Sequence, residues 1–411
     1  MSASPSDWRR VVLVFWLTSL VEGIGVSQVF ALLPAYLAEL GVAETDRLPF
    51  VGLFSSLLFV LGLPLVPLWG VWADKYSRKA VIVRSAVVEA VVFAGMALSR
   101  EPWQVAVSIL LIGFQLGNTG VMLAGIRDVT PSDRLGRTIA IFGASGPIGF
   151  AVGPALAGLL IDGLGASIAA VFAVSALLSL GTAALVAFGS REVRPTVVPE
   201  GRVLELAFGA IRAVLGDPAV RRIFLVFAVS FLAAQTARPY IPILVEVLVG
   251  RGPGLASSIA LVVGTASLVG ALLSPLAGAL GDRIGFQRVL VVSLGALGVG
   301  TGLMIAAPSV AVLALLAVAT AAAQSTVSAM VFGLLATEVA PDRRSTTLNL
   351  VYLPLYVAGI VGPAISAGVV GLAGLQAPFL LAAAVALGGA VGVGLRRRAM
   401  PAPPVEPGPW S

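Results

Sequence analysis

The sequence predicts an all-α integral membrane protein with twelve transmembrane helices, on the basis of its charge, its hydropathy and its apolar content. Of its 411 residues, 58% are hydrophobic and only 11% are charged, whereas an ordinary soluble domain is roughly 25% charged. The mean hydropathy of +1.02 indicates lipid as the solvent. Because one membrane-spanning helix needs about 20 mainly apolar residues, this apolar content supplies roughly twelve crossings. Soluble enzymes, nucleic-acid binders and disordered proteins are excluded.

Twelve apolar runs, separated by charged residues or by Gly and Pro, give the predicted spans in chain order. The first run follows a basic flank at residues 1–10 and is too long for the apolar part of a signal peptide, so we expect a retained helix. The predicted spans are 11–37, 49–72, 80–99, 103–126, 138–161, 168–188, 222–248, 256–280, 289–307, 310–334, 347–370 and 377–395.

The basic residues concentrate on one side of the predicted membrane. Because successive loops alternate between the two sides, 21 of the 26 Lys and Arg residues fall on the side that holds both termini. The opposite side holds only Arg47, Arg100 and Arg251. Cytoplasmic loops collect Lys and Arg, so we expect a multi-pass cell-membrane protein with cytoplasmic N- and C-termini. The net charge of +6 then reflects orientation, and no nucleic-acid partner is expected.

A polar stretch after the sixth span divides the chain into two sets of six spans. Four apolar residues recur within it at helical spacing and predict an amphipathic helix on the membrane surface. They are Val203, Leu206, Ala210 and Val214. The expected parts are an N-terminal six-helix bundle at 1–188, a cytoplasmic linker at 189–221, a C-terminal six-helix bundle at 222–395 and a cytoplasmic tail at 396–411.

The two halves match in register, which predicts a duplicated unit and two pseudo-symmetric six-helix bundles. Prolines, glycines and polar residues recur at offsets of 208 or 209 residues. The matching pairs are Pro34 with Pro242, Gly70 with Gly278, Asp74 with Asp282, Gln115 with Gln324, and Gly153-Pro154 with Gly362-Pro363. A parallel repeat suits alternating access, in which the halves rock around a central site.

The turn after the second span carries a family signature. Residues 70–79, Gly-Val-Trp-Ala-Asp-Lys-Tyr-Ser-Arg-Lys, resemble motif A of the major facilitator superfamily (MFS), Gly-x-x-x-Asp-Arg/Lys-x-Gly-Arg-Arg/Lys, with Ser77 where glycine is usual. We expect Gly70 to permit close helix approach, Asp74 to favour a helix N-terminus, and the cations to hold the turn at anionic headgroups. A merely basic turn is the alternative, and a second copy after the eighth span argues against it. The conformational residues of the two copies are Gly70, Asp74, Arg78, Gly278, Asp282 and Arg283.

The fifth span resembles motif C, which in this superfamily marks the drug:proton antiporters. Small residues four apart let two helices touch closely, and a proline adds a kink. The residues that keep the pattern are Gly149, Gly153, Pro154 and Gly158, while Ala140 and Ala157 replace two of its glycines. Gly-rich packing with no bearing on transport direction stays open as the alternative, because the eleventh span repeats the Gly-Pro pair. The whole-chain resemblance implies the MFS fold.

Few side chains in this sequence can bind and release the proton that drives transport. Without histidine or cysteine, a proton must be carried by a carboxylate or by water. The fourth span, at residues 113–118, has no arginine where motif B of the family places the one associated with proton coupling. Glu22 lies about 18 Å beyond Arg10 along the first helix, and the resemblance implies that the first, fourth, seventh and tenth spans surround the cavity. Glu22 is therefore the first candidate proton-binding carboxylate, with a structural glutamate as the alternative.

Other polar residues inside the predicted spans are candidates for the proton or substrate site. They are Gln115, Asn118, Gln235, Arg238 and Gln324, and for each neutral one the alternative is a hydrogen bond between helices. Superposing the two repeats puts Arg238 nearer the outer face of the membrane than Glu22. Arg238 is therefore predicted to form part of an outer gate or to contact an anionic substrate group. The alternative is that its side chain snorkels toward the outer headgroups. Glu89 lies near mid-depth with a transport or a packing role. Arg84 lies one turn inside, where it can snorkel, and is assigned no chemistry.

These features predict a secondary active transporter that exports small amphipathic or drug-like molecules in exchange for protons. The expected partners are the small-molecule substrate, protons and the lipid bilayer, and we expect a monomer. No cofactor or metal is expected, because the sequence has no Gly-x4-Gly-Lys-Ser/Thr loop for ATP and no metal-ligand cluster. An importer or facilitator of a sugar or small organic anion, with Arg238 as the anion contact, stays open. An intramembrane enzyme or a non-transporting receptor is a further alternative, although an enzyme is not expected without visible catalytic groups.

Overall fold

The computed structural model describes residues 7–195, 198–338 and 350–399. Within these ranges the chain forms twelve helices long and apolar enough to cross a membrane, which confirms the predicted number. The spans, numbered 1 to 12, are Trp8–Glu39, Glu44–Lys75, Arg78–Leu98, Pro102–Val129, Leu135–Gly163, Ile168–Gly189, Pro218–Val249, Leu255–Leu273, Phe286–Ala306, Val310–Leu335, Leu353–Ala373 and Gln376–Leu395.

Six of the spans are built from more than one helical segment. The segments are Glu44–Val60 and Gly62–Lys75 in span 2, Pro102–Leu111, Ile112–Phe114 and Asn118–Val129 in span 4, Leu135–Gly158 and Leu159–Gly163 in span 5, Pro218–Ala237, Arg238–Tyr240 and Ile241–Val249 in span 7, Leu255–Ile259, Ala260–Gly264 and Thr265–Ile284 in span 8, and Phe286–Leu303 and Met304–Ala306 in span 9. The helix Thr265–Ile284 continues beyond Leu273, the end of span 8.

Span 4 is broken near its middle, whereas the sequence predicted one continuous helix there. Gly117 has a φ of +98°, in the left-handed region that favours glycine, and the helix begins again at Asn118. Span 2 lies close to the break, because a Cβ on Gly113 would stand 2.6 Å from the backbone nitrogen of Gly62. Gly117 thus allows an irregular backbone inside the membrane-spanning part, and Gly113 lets span 2 pack against it. Such a backbone is tolerated there only in contact with protein or a cavity.

Span 7 changes helical geometry at the sequence Arg-Pro-Tyr-Ile-Pro. Pro239 and Pro242 have no N–H to donate, and residues Arg238–Tyr240 form a single 3₁₀ turn between the two α-helical segments. The hydroxyl of Tyr240 donates to the carbonyl of Leu48 in span 2, at 3.3 Å. The altered turn therefore carries a contact between the two halves.

The two halves meet at one end of the bundle and separate at the other. We call the end with the turns at 76–77 and 130–134 the basic end, and the end with the turns at 40–43 and 250–254 the far end. Toward the far end, one apolar core contains residues from both halves, among them Leu33, Tyr36, Tyr240 and Val245. Toward the basic end, the described residues form separate cores, one around Phe15, Ile82 and Met122 and one around Phe227, Leu290 and Met330. The bundle is therefore closed at the far end and opens toward the basic end.

The glycines of span 5 allow it to lie directly on span 1. A Cβ on Gly149 would stand 2.3 Å from the carbonyl oxygen of Leu20, and one on Gly153 would stand 2.4 Å from that of Ile24. Pro154 is buried just beyond this contact. Gly158 lies against Ser257 of span 8, where a Cβ would come within 3.1 Å of the Ser257 Cα. The motif C residues thus join span 1 to the second half of the molecule.

The substitution Gly153→Ala is expected to destabilise the protein by about 1–3 kcal/mol, the usual cost of overpacking a close contact. Its methyl group would meet the backbone of span 1, which can move only if the helices separate. Thermal unfolding of the purified protein should show a lower Tm. The matched control is Gly143→Ala on the same helix, where a Cβ meets nothing within 4 Å; equal Tm values for the two variants would contradict the prediction.

A helix at Val203–Gly216 lies between spans 6 and 7, at the position of the predicted amphipathic helix. It buries Ala207 and Val214. Its end leads directly into span 7, because the Asp217 carboxylate accepts from the backbone nitrogens of Ala219 (2.8 Å) and Val220 (3.4 Å) at the start of that span. The division of the chain at 189–221 stays a prediction.

Candidate functional site

A polar network surrounds the break in span 4. The carbonyl of Gln115, which the break leaves without a helical partner, accepts from the Ser85 hydroxyl at 2.8 Å and from the Arg84 guanidinium at 3.4 Å. Asn118 begins the next segment, and its amide donates to Glu22 Oε2 at 3.1 Å. Spans 1, 3 and 4 of the first half are therefore joined at Glu22, Arg84 and the break.

Arg84 belongs to this network, and its assignment as a snorkelling residue was wrong. Its guanidinium lies 3.7 Å from the ring centroid of Trp69 and donates to the Ser85 hydroxyl at 2.7 Å. Through the Gln115 carbonyl it contacts the same break that places Asn118 against Glu22. Depth along a helix does not reveal which way a side chain points, and span 4 supplies the carbonyl that holds Arg84 inward. The only sequence signal was a basic residue next to a serine, one turn before Glu89.

Several buried polar atoms of the network have no hydrogen-bond partner among the described residues. The Gln115 side chain is 1% exposed, and neither its Oε1 nor its Nε2 has a partner among the described residues. The same holds for Asn118 Oδ1 and for Oε1 of Glu89, whose side chain is 3% exposed. Buried polar atoms without partners are costly, so these atoms have hydrogen-bonding capacity beyond the contacts of the network.

A cavity of about 510 Å³ lies between the halves. Small and aliphatic side chains line most of it, and three aromatic rings join them, Phe30 and Phe150 from the first half and Phe231 from the second. The polar lining includes Gln235, Arg238 and Gln324. An apolar wall with a few polar groups is typical of sites for small amphipathic molecules.

Arg238 faces this cavity between two aromatic rings. Its guanidinium lies 4.3 Å from the ring centroid of Phe30 and 4.8 Å from that of Phe150. Cation–π contact of this kind stabilises a charge that lacks bulk water. Because both rings come from the first half and Arg238 from the second, the side chain also links the halves. It does not snorkel toward the headgroups.

The predicted site residues therefore fall into two groups. Glu22, Gln115 and Asn118 lie together at the break in span 4, and Gln235, Arg238 and Gln324 lie together on the cavity wall of the second half. Gln324 Nε2 also donates to the Ser230 hydroxyl at 3.4 Å. Their role in binding protons or substrate stays a prediction.

In the first copy of motif A, Arg78 lies in an ion-pair cluster and is not available to anchor the turn at headgroups. Arg78 is 2% exposed and reaches Asp74 Oδ1 at 2.8 Å and Asp128 Oδ2, at the end of span 4, at 2.6 Å. Glu192, after span 6, accepts from the Ser77 hydroxyl and from the backbone nitrogen of Arg78 (3.0 Å) at the start of span 3. Asp74 thus pairs with a cation and does not cap a helix.

Gly70 and the second copy of motif A also differ from what the sequence predicted. A Cβ on Gly70 would meet nothing within 4 Å, so this glycine makes no close helix contact in this conformation. In the second copy, Gly278 lies within the segment Thr265–Ile284, while Asp282 and Arg283 are exposed at its end. The two copies therefore differ in burial although their sequences correspond.

A second ion-pair cluster closes the far end, and we call it the far-end lock. Arg47 of span 2 makes two hydrogen bonds to Glu246 of span 7, at 3.0 and 2.9 Å. Arg251 donates to Glu246 at 2.6 Å and also contacts Glu44. The hydrogen bond to Glu246 raises the pKa of Arg251, so this cation stays charged throughout the neutral range. Sequence reasoning treated Arg47 and Arg251 only as outer-face charges and did not single out Glu246.

Asp162 adds a further contact between the halves at the far end. Its carboxylate accepts from the backbone nitrogens of Gly254 at 3.0 Å and Ser257 at 2.7 Å, at the start of span 8. A carboxylate at a helix N-terminus is favoured by the unpaired N–H groups and by the helix dipole. The far end is thus held by charged contacts from spans 2, 5, 7 and 8.

Comparisons with known proteins agree with this architecture. The profile of the Major Facilitator Superfamily matches residues 15–260 and 251–410. The chain is 33% identical over 300 residues to the multidrug resistance protein MdtG of Citrobacter koseri, across 71% of this chain and 72% of that one. It is 27% identical over 289 residues to a multi-drug resistance efflux pump PmrA homolog of Lactococcus lactis, across 70% of each. A bacterial homolog of the human lysosomal transporter Spinster, solved in an inward-facing occupied conformation, superposes with a TM-score of 0.78 at 16% identity, across 97% of this chain and 98% of that one.

Proposed function

Because this chain belongs to the Major Facilitator Superfamily, we propose that it is a proton-coupled exporter of small amphipathic or drug-like molecules. The observation that carries the proposal is a carboxylate, Glu22, held at a helix break inside a protein whose central cavity is largely apolar. The relatives named as multidrug resistance and efflux proteins support the same substrate class. We propose that the protein works as a monomer and needs no cofactor.

We propose that the basic end faces the cytoplasm, with both termini on that side. The excess of Lys and Arg at that end supports this orientation. The opening toward the basic end then makes this an inward-facing state, and the far-end lock is the outer gate. Opening the lock and closing the basic end would expose the cavity to the outside, as alternating access requires.

The coupling mechanism follows from the charge of Glu22. An ionised carboxylate inside the membrane is costly unless a cation or a hydrogen-bond donor compensates it, and protonation removes that cost. Asn118 supplies a hydrogen-bond donor to Glu22 in the present state, and Arg84 lies in the same network. A change in protonation therefore changes the relative free energies of the inward- and outward-facing states, which is the requirement for coupling.

The direct test is expression in cells that lack their own exporters. Lipophilic dyes and a panel of drugs should accumulate less in expressing cells than in cells with the empty vector, and a protonophore should abolish the difference. Equal accumulation of all compounds, or a difference that persists with the protonophore, would contradict proton-coupled export.

Arg238 favours a second candidate, an importer or facilitator of a sugar or small organic anion. Its guanidinium faces the cavity between Phe30 and Phe150. If this candidate is right, Arg238→Ala should abolish binding of an organic anion such as benzoate to the purified protein. Arg238→Lys should keep part of it, because the charge remains while the planar stacking is lost. Ligand binding by calorimetry checks this, and unchanged anion binding in Arg238→Ala rejects the candidate.

A further inference from the structure

The start of span 7 lies between two apolar grooves that the proposed function does not use. The linker groove, of about 990 Å³, lies between span 7, the end of the helix Val203–Gly216 and the start of span 11. The span 12 groove, of about 740 Å³, lies between spans 7, 9 and 12. None of the described residues that line these grooves also lines the central cavity.

The surface of span 7 is divided between the two grooves by helical spacing. Residues at i, i+3 and i+7, or at i, i+4 and i+7, lie on one helix face. The two sets are Arg221, Phe224 and Ala228 in the linker groove, and Arg222, Val226 and Val229 in the span 12 groove. Leu225 lines both grooves and is 56% exposed, so it forms a ridge between them. Each groove therefore has an arginine at one end and an apolar wall beyond it.

Glycines of span 12 leave room in the span 12 groove. Gly388 and Gly392 both line it, and a Cβ on either would meet nothing within 4 Å. Span 7 still packs closely on span 12 beneath the groove, because a Cβ on Gly389 would stand 2.7 Å from Val229 Cγ1. The groove is therefore open along its length and has a closed floor.

Span 7 is long enough to place both arginines at the level of the lipid headgroups. It has 32 residues, which rise about 48 Å in a helix, whereas the hydrocarbon core is about 30 Å thick. Arg221 and Arg222 lie within the first two turns after Pro218, at the basic end. They therefore stand at the headgroups, and the grooves run from them into the hydrocarbon.

Both guanidinium groups have donors available for an anion. Arg221 Nη1 donates to the carbonyl of Leu215 at 3.4 Å, and Arg222 Nε donates to that of Pro218 at 3.2 Å. A guanidinium has five N–H donors, and neither arginine forms an ion pair with a carboxylate within the part of the chain that the structure describes. Two such groups side by side match the charge and the oxygen atoms of a phosphate.

We propose that the start of span 7 binds one anionic phospholipid. Its phosphate pairs with Arg221 and Arg222, and its two acyl chains lie in the two grooves on either side of Leu225. Basic pockets between transmembrane helices are suited to anionic headgroups, and here two apolar grooves begin at the same pair of cations. The lipid would join span 7 to the linker helix, to span 11 and to span 12. This site rests on the membrane-spanning fold and goes beyond the proposed function.

Native mass spectrometry of the purified protein in a non-ionic detergent tests the headgroup contact, with dioleoyl phosphatidylglycerol as the probe. The wild type should retain one molecule of this lipid per chain and should retain less dioleoyl phosphatidylcholine. Arg221→Gln/Arg222→Gln should bind phosphatidylglycerol roughly thirtyfold more weakly, as expected when two arginines contact one headgroup. The matched control is Arg202→Gln/Arg212→Gln, which removes the same charge from exposed positions outside both grooves and should bind as the wild type does.

Filling the span 12 groove tests the place of the acyl chains. Gly388→Leu and Gly392→Leu should each weaken the binding several-fold, because a leucine and an acyl chain cannot occupy the same space. The matched control is Gly368→Leu on span 11, where a Cβ also meets nothing within 4 Å but which lines neither groove. Lysophosphatidylglycerol, which has one chain, should bind the wild type more weakly than the lipid with two chains.

Four results would overturn the proposal. Equal retention of phosphatidylglycerol and phosphatidylcholine, or equal losses in the two double arginine variants, would show that the arginine pair is not a headgroup site. Wild-type binding in the glycine variants of span 12, or equal binding of the one-chain and two-chain lipids, would show that the grooves do not hold the chains. Circular dichroism checks that each variant is folded. If neither glycine variant is folded, the comparison of one-chain and two-chain lipids on the wild type still decides the case.

Discussion

Glu22→Gln is expected to reduce pH-gradient-driven transport in proteoliposomes to the rate measured without a gradient. Glutamine has the same shape and its carbonyl oxygen can still accept from Asn118, so the contact at the break in span 4 is kept. What is lost is the group that gains and releases the proton. Substrate exchange without a gradient should continue, because it needs alternating access but no change in protonation.

The matched control for this prediction is Glu39→Gln at the end of the same span. Glu39 is exposed and lies outside the network, so its variant should retain the wild-type response to the gradient. Gradient-driven transport by Glu22→Gln at the wild-type rate would remove Glu22 from the coupling mechanism. Loss of exchange as well as gradient-driven transport would indicate a structural role instead.

Glu246→Gln is expected to weaken the far-end lock and shift the protein toward the state that is open at the far end. Glu246 hydrogen-bonds to both Arg47 and Arg251. Glu44 also contacts both, but it lies 3.8 Å from Arg47 and its side chain is 74% exposed. Removing its charge leaves Arg47, whose side chain is 7% exposed, buried without its main partner. Breaking a buried ion pair in this way costs about 3–5 kcal/mol, which is enough to change the ratio of two conformations by more than a hundredfold.

The lock can be followed by spin-label distances. Because the chain has no cysteine, labels can be introduced by Leu164→Cys and Leu372→Cys at two exposed positions of the far end, one in each half. The distance should lengthen in Glu246→Gln. The control is Glu44→Gln, which removes a carboxylate of the same cluster whose side chain is 74% exposed and should cost at most about 1 kcal/mol. The same short distance in both variants would show that the lock does not hold the far end closed.

The number of spans and the positions of the motifs could be read from the sequence because they depend on local properties. A run of about 20 apolar residues spans the hydrocarbon core wherever it occurs in the chain. The depth of Glu22 followed from counting residues along a helix. Neither inference needs to know how the helices pack.

The partners of Glu22 and Glu246 could not be predicted in this way. Arg47 and Glu246 are 199 residues apart and meet only because spans 2 and 7 pack together at the far end. Arg84 was taken as able to snorkel and was assigned no chemistry, because its depth was known and its direction was not. The break in span 4 turns it inward by exposing the Gln115 carbonyl, and one glycine with a positive φ within an apolar run was too weak a signal to predict that break.

The sequence by itself determined that this protein is a twelve-span membrane protein with a duplicated six-helix unit, because hydrophobic length, composition and internal repeats do not depend on tertiary contacts. The tertiary structure decided which charges meet. It joined Glu22, Asn118 and Arg84 around the break in span 4, placed Arg238 between two rings in the cavity, and built the far-end lock from Arg47, Glu246 and Arg251. The physical reason is that a charge inside a membrane is stabilised by the groups that surround it, and the rotation and contact of packed helices select those groups.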